Sequence, residues 1–446
     1  MINLRTTQTH NFYVGALPKG LDDLIQALVF PKKQVFYFTA EGSSEAKWIA
    51  EFLPRAQILH YRFSTKRINF DKHSLENILR YSDLSQLLTK RKIKYLIFSN
   101  ALNGFLEKWS EQHKIQIIAV SYRLQKRFEN KLWFDKFLAR HKIQKPESLI
   151  FNTAKTSKIF PGKAVLQKAN SWGAEGTFFI ENREDLERLI VAKKICKNEN
   201  YLMRKYVSGK SYGITVFISS KVIAVSAIRE QCFYTSGKVY VPNFAGIQWV
   251  ADKNIASQLK KNINGVFTRL GELLHREKFL GYANFDFIAD LKNEIYLIEC
   301  NPRFAASSLQ LLRFSELISN IQTEQIFIKE FMQKSVFTEP EIYALRDVNN
   351  FAGTNLQIKV AAQTKITKDY RNGLYAYQNG EIIYQTPDIR KLPSKGKTFI
   401  FHSNTSLGMF YPHSLDVANV ISNFPLFGRS GKLNLIGRKI LKTFTY

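Results

Sequence analysis

The chain has 446 residues, 45% of them hydrophobic and 13% aromatic, which is enough apolar surface for two to four folding units and excludes a disordered or fibrous protein. Three cysteines, Cys196, Cys232 and Cys300, lie far apart without a CxxC pair, so neither a disulfide scaffold nor a structural zinc site is supported, and a reducing, cytoplasmic compartment is expected. The formal charge of +28 fits a lysine-rich solvated surface or a polyanionic partner; the densest basic run is Lys90-Arg91-Lys92 with Lys94, and no motif supports a nucleic-acid partner. No stretch of about 18 apolar residues occurs, so no membrane-spanning helix is expected.

In chain order, Val35–Phe38, Ile58–Tyr61, Tyr95–Phe98 and Ile117–Val120 read as buried strands. Helical stretches at Ser44–Phe52 and Leu75–Leu88 alternate with them, the pattern of a small parallel α/β unit. The segment after the first strand, Glu41-Gly42-Ser43-Ser44, lacks the dinucleotide fingerprint. Arg127–His141 carries one apolar helical face. Ala164–Lys168 is a strand, Ser171–Thr177 a glycine-bearing loop, and Phe178–Ile180 a strand; Glu184–Lys193 is a helix, Tyr212–Ile218 and Val222–Ile228 are strands, and Val266–Leu274 is a helix. Beyond about Glu339 the rhythm changes, and Asn379-Gly380 between two apolar runs predicts a type I′ hairpin.

The chemistry concentrates in Asn284–Arg303, which reads as a hairpin turning at Lys292-Asn293. Pairing about that turn sets Asp286 opposite Glu299. Two opposed carboxylates repel, and a divalent cation between them reverses the sign of the interaction. Asn301, two residues beyond Glu299, shares its face, so the set suits Mg²⁺; Ile298 and Cys300 are expected to point into the core. Solvated acids on a surface hairpin are the alternative, but these acids sit inside apolar runs, where charge without a partner is costly. Lys168 at a strand end, followed by Gly173 and Gly176, suits a phosphate-approaching loop, although two such glycines alone mean no more than a turn. Tyr201–Gly209 reads as a strand running into a bend.

The order of these elements resembles the ATP-grasp superfamily, of the carboxylate–amine ligase type found in biotin carboxylase and carbamoyl-phosphate synthase. The resemblance covers roughly residues 30 to 330 and is carried by Lys131, Lys168, the glycine loop, the bend near Lys205 and Leu297–Arg303. It implies a Rossmann-like pre-ATP-grasp α/β domain at 1–125 and an ATP-grasp domain of two α+β subdomains at 126–205 and 206–335; the changed rhythm and the hairpin signal beyond them read as a smaller β-containing cap at 336–446. The resemblance also implies Lys131 and Lys168 on phosphates, Gly173 and Gly176 in a mobile flap, and Lys205 and Val207 reading adenine through their backbone. Asp286, Glu299 and Asn301 are implied as ligands of Mg²⁺–ATP, with Mn²⁺ compatible. Arg303 is implied near an acyl phosphate and Arg229 on a substrate carboxylate. The implied reaction joins a small carboxylate, acidic ones favoured by the charge, to an amine and releases ADP and phosphate; a homodimer is compatible. Arg204-Lys205 and Lys210-Ser211 depart from the acids common in the family. That departure keeps open an alternative, an ATP-grasp-shaped protein with weak or no turnover that binds an anionic partner.

Overall fold

The computed structural model describes residues 13–445 apart from 18–23, 29–31, 65–74, 99–101, 154–158, 172–175, 235–243, 304–330, 332–338, 345–352, 412–415 and scattered single positions and pairs. The chain divides into two compact units, residues 1–119 and 120–446.

In the first unit, strands β1 (Tyr13–Ala16), β2 (Val35–Ala40), β3 (Ile58–Tyr61), β4 (Ile93–Ile97) and β5 (Gln116–Ile118) form a parallel sheet in the order β3-β2-β1-β4-β5. The central strand β1 is missing from the reading by sequence because only four residues, Tyr-Val-Gly-Ala, form it. Helix α1 (Ser44–Ile49) follows β2. The stretch expected as one helix from Leu75 to Leu88 is two, α2 (Leu75–Tyr81) and α3 (Leu84–Lys90), and α4 (Gly104–His113) precedes β5.

The second unit opens with two helices where one was expected, α5 (Tyr122–Glu129) and α6 (Lys131–Arg140). Asn130 separates them: its backbone is extended, and its side chain accepts from the Trp133 N–H at 2.9 Å, so it caps α6. A four-stranded antiparallel sheet follows, β6 (Ser148–Asn152), β7 (Ala164–Lys168), β8 (Thr177–Ile180) and β9 (Asn200–Lys205), in the order β6-β9-β7-β8. Helix α7 (Arg183–Val191) lies between β8 and β9 in sequence.

The remaining strands build one twelve-stranded sheet. It contains β10 (Gly209–Ile218), β11 (Val222–Val225), β12 (Arg229–Phe233), β13 (Phe244–Trp249), β14 (Gly281–Asp290) and β15 (Ile295–Asn301). It continues through β16 (Glu341–Ala344), β17 (Thr354–Lys359), β19 (Gly373–Gln378), β20 (Glu381–Thr386), β21 (Thr398–Ser403) and β23 (Asp416–Ser422), while β18 (Thr364–Lys365) and β22 (Phe410–Tyr411) pair separately. The β19–β20 turn is the expected one, with Asn379 at φ 50° and Gly380 at φ 82°. The sheet is continuous because β13 pairs with β17, so the C-terminal strands extend the sheet that carries β14 and β15.

Helix α8 (Ser257–Arg276) places Leu259, Ile263, Phe267, Leu270 and Leu274 on one stripe and packs them on Ile214, Val216, Phe285 and Phe287. Phe128, Phe134, Phe137 and Leu138 of α5 and α6 complete this core. It fixes one face of β14 and β15 and leaves the other for polar side chains. Among the described residues, no helix is long and apolar enough to cross a membrane.

Candidate functional site

The β14–β15 hairpin pairs Asn284 with Asn301 and Asp286 with Glu299, as the turn predicts. Between Asp286 and Phe287 the register slips by one residue, so Phe287 pairs with Leu297 and Ile298 is extra. The bulge corrects one expectation. Cys300 is buried in the core, but Ile298 is only half-buried and lies outside the core cluster, because the extra residue shifts the alternation there.

Asp286 and Glu299 hydrogen-bond to each other on the polar face. Burial and the charge of Glu299 push the Asp286 pKa well above its ordinary value, so Asp286 holds the shared proton. Burial acts upward on Glu299 as well, but the Lys131 ammonium and hydrogen bonds from Asp286, Lys131 and Asn301 outweigh it and bring its pKa down to about 2. Asn301 donates its amide N–H to Glu299 Oε1 at 3.1 Å. On the far side, Ser211 donates to Gln231 Oε1 at 2.5 Å, and the Gln231 side chain bonds to Asp286.

Lys131, at the start of α6, is 3% exposed and places Nζ 3.0 Å from Glu299 Oε2. The same ammonium donates to the Ser171 carbonyl at 2.7 Å. Its backbone N–H donates to the Ala169 carbonyl at 2.8 Å, which ties α6 to the segment after β7. Arg303 donates Nε–H to Glu129 Oε1 at 3.2 Å, and its carbonyl accepts from the Asn284 amide. Arg229 is buried, with Nη1 donating to Thr215 Oγ1 at 2.9 Å and Nη2 to Asn284 Oδ1 at 3.0 Å. Its guanidinium lies 5.8 Å from the centre of the Trp249 ring. Burial brings its pKa down to about 10, and a negative charge on Asp286 would act in the opposite direction. One network of hydrogen bonds, ion pairs and charge therefore links Lys131, Glu299, Asn301, Asp286, Arg229 and Arg303.

The second group of expected residues lies on the four-stranded sheet. Lys168 ends β7, and its N–H donates to the Gly176 carbonyl at 2.9 Å. Gly176 has φ +71°, and a Cβ there would stand 2.8 Å from Lys168 Cδ, so both its conformation and its closeness to the lysine stem require glycine. Gly173 lies outside the described residues. Lys205 ends β9 with an exposed side chain; its N–H donates to the Glu147 carbonyl at 2.9 Å, and the N–H of Tyr206 donates to the Lys163 carbonyl at 3.0 Å. Val207 follows, half-buried. Among the described residues, no contact joins Lys205 or Val207 to the carboxylates.

Arg204 departs most from a solvated basic residue. It is 2% exposed, donates Nη1–H to Gln167 Oε1 at 2.6 Å, and has Nη2 3.5 Å from Asp135 Oδ1 without hydrogen-bond geometry. Its Nε has no hydrogen-bond partner among the described residues. Asp135 is shared: Lys145 Nζ is 2.9 Å from its Oδ2, and Ser148 donates to the same oxygen at 2.8 Å.

Reading the sequence missed Asn284, Thr215, Gln231, Ser171 and Glu129. Asn284 lies two residues before Asp286 and Gln231 two after Arg229, so strand alternation carried a signal for both. Glu129 has no periodic signal, because the elbow between α5 and α6 brings it in.

Among the described residues no three His, Cys, Asp or Glu side chains cluster as a metal site. The oxygen set of Asp286, Glu299 and Asn301 is two carboxylates and an amide. It fits a hard divalent cation, because two half-buried carboxyls that share a proton are a pair whose repulsion such a cation relieves.

Residues 128–307 match the family model of the ATP-grasp domain. Among solved structures, the chain is similar in fold to the biotin carboxylase domain of 2-oxoglutarate carboxylase from Hydrogenobacter thermophilus, a complex with MgADP, ADP and bicarbonate. That match has 15% identity and a TM-score of 0.61 over 94% of this chain and 87% of that one. An L-amino acid ligase from Bacillus licheniformis matches at 14% identity and TM-score 0.59, over 98% and 97% of the two chains. The ADP complex of PurK, an N5-carboxyaminoimidazole ribonucleotide synthetase, matches at 12% identity and TM-score 0.57, over 97% and 96%. The mixed α/β architecture, with a parallel sheet at the N-terminus and antiparallel sheets after it, is the one those neighbours share.

Proposed function

We propose that the protein is an ATP-dependent ligase that transfers the γ-phosphoryl of ATP to a small carboxylate and passes the resulting acyl phosphate to an amine, releasing ADP and phosphate. The observation that carries this reading is the single polar face on which Asp286, Glu299, Asn301, Lys131 and Arg303 converge. The named ligands and activities of the structural neighbours agree with it.

Mg²⁺ held by Asp286, Glu299 and Asn301 supplies neutralisation of phosphate charge. Lys131 exchanges its carboxylate partner for a phosphate oxygen, which it can do because the Ser171 carbonyl keeps the ammonium in place. Lys168 brings a second cation to the glycine loop. Arg303, oriented by Glu129 and by Asn284 on its carbonyl, stabilises charge on the acyl phosphate. Arg229 holds the carboxylate substrate next to Asp286. Lys205 and Val207 present backbone groups to the base, and the loop bearing Gly173 and Gly176 excludes water that would hydrolyse the intermediate.

The test is ADP and phosphate release from Mg²⁺–ATP with pooled amino acids and small carboxylates, beside Glu299→Ala. Substrate-dependent ADP and phosphate that the variant loses is the expected result. AMP with pyrophosphate overturns the acyl-phosphate route. ATP binding without turnover favours the second reading, a binding protein, which the basic Arg204-Lys205 and Lys210-Ser211 positions support.

A further inference from the structure

Glu129 is the last residue of α5, where a carboxylate opposes the helix dipole and gains nothing from its own helix. Only 17% of its side chain is exposed. Burial pushes its pKa up, while Arg303 and Lys131 pull it down. The charged groups that face it are Arg303 and Glu299 near the end of β15 and Lys131 on α6, with the neutral Cys300 thiol nearby. Its Oε1 accepts from Arg303, and its Oε2 has no hydrogen-bond partner among the described residues.

The elbow that carries Glu129 is fixed on both sides. Asn130 caps α6 and donates to Asn170 Oδ1 at 3.1 Å, and the Lys131 backbone is bonded to Ala169. A carboxylate in an unfavourable helix position is thus held still, with one oxygen on Arg303 and the other bonded to none of the described residues. Arg303 pairs with Glu129 and Lys131 with Glu299, so each of these carboxylates already has one cation, and anionic substrates arriving there bring charge that a further cation can offset.

We propose that Glu129 forms the subsite for the amine nucleophile: Oε2 binds it as an ammonium and takes its proton, and the freed amine forms the C–N bond at the acyl carbon as phosphate leaves, next to the arginine that faces the activated carboxylate. This assignment rests on the ligase reading and names the group that receives its second substrate.

The test compares wild type with Glu129→Gln and Glu129→Asp, using whichever pooled carboxylate supports ADP release. The nucleophile probes are ammonium chloride, the common amino acids, and hydroxylamine, which is uncharged at neutral pH and traps the acyl phosphate as a hydroxamate. Glu129→Gln is expected to raise KM for the cationic amine by about ten- to a hundredfold, the worth of one charge-assisted hydrogen bond. The hydroxylamine reaction loses only what the weakened Glu129–Arg303 contact costs, several-fold less than the loss with the cationic amine, and Glu129→Asp recovers part of the amine loss. Equal loss with both nucleophiles overturns the subsite and leaves Glu129 acting only through Arg303. Unchanged amine kinetics in an active Glu129→Gln overturns it alone. A wild-type enzyme that forms neither hydroxamate nor ADP with any probe overturns the ligase reading and this assignment with it.

Discussion

The polar face of β14–β15 and the buried guanidinium on β9 both take charge out of water, and they do it in opposite ways. On the hairpin, Asp286 and Glu299 share a proton, Lys131 and Asn301 complete the set, and Glu299 keeps 20% of its side chain exposed. On β9, Arg204 has one hydrogen bond, no exposure to speak of, and a counter-charge it shares with Lys145. The first arrangement can exchange its internal partners for a ligand. The second has nothing to exchange and links β9 to α6 through Asp135. A perturbed ionisable group signals a working site only when its partners are replaceable.

The largest effect expected from this contrast is on stability. Asp135→Ala leaves Arg204 buried without its counter-ion and should cost about 3–5 kcal/mol, whereas Arg204→Met leaves Asp135 with Lys145 and Ser148 and should cost about 1–2 kcal/mol. Denaturant unfolding of the two variants checks this, and equal losses would break the contrast. Next is Gly176→Ala, where a positive φ and the Lys168 stem both oppose a side chain. A loss of about 1–2 kcal/mol is expected from the backbone alone, read in the same unfolding experiment. A neutral result would show that the turn can re-form without glycine.

The smallest effect sharpens the hairpin side. The Asp286 pKa lies above its ordinary value of 3.8, so its contribution to stability is present below that value and is lost as pH rises through the raised one. Glu299, lowered from 4.5 to about 2, contributes above 4.5 and loses that contribution as pH falls through about 2. In the absence of divalent cations, the unfolding free energy should therefore decline as pH rises above the acid range, with a slope of at most about 1.4 kcal/mol per pH unit, and Tm should fall with it. Asp286→Asn should flatten that limb in a pH series of thermal melts. An unchanged slope would place the shared proton elsewhere.

The sequence made the hairpin legible because strand alternation and a short turn determine which residues face each other, and Asp286 and Glu299 do pair. It did not reveal the bulge at Ile298, since one extra residue leaves no mark on composition or alternation over so short a strand. Nor did it reveal the break at Asn130, because α5 and α6 continue one apolar stripe across it and only the cap on Trp133 distinguishes two helices from one. The elbow accounts for what was missed around it. Glu129 and Lys131 lie two residues apart and on separate helices, yet one meets Arg303 and the other Glu299. The fate of Arg204 was equally hidden, since a basic residue before a bend reads as solvated until the helix carrying Asp135 is in place.

The pairing of β13 with β17 has a consequence for how the molecule can be cut. Removing residues 351–446 would not detach an accessory module but would strip one side of an interior strand. The bond from the Trp249 N–H to the Gly353 carbonyl and the ladder to Leu356 would be lost. Ala245 and Cys232, now packed against Leu356 and its neighbours, would lose that cover. The exposed edge of β13 would then offer unpaired N–H and C=O groups beside apolar side chains, the surface through which sheets recruit further chains. A shortened protein should gather into aggregates before it reveals anything about catalysis.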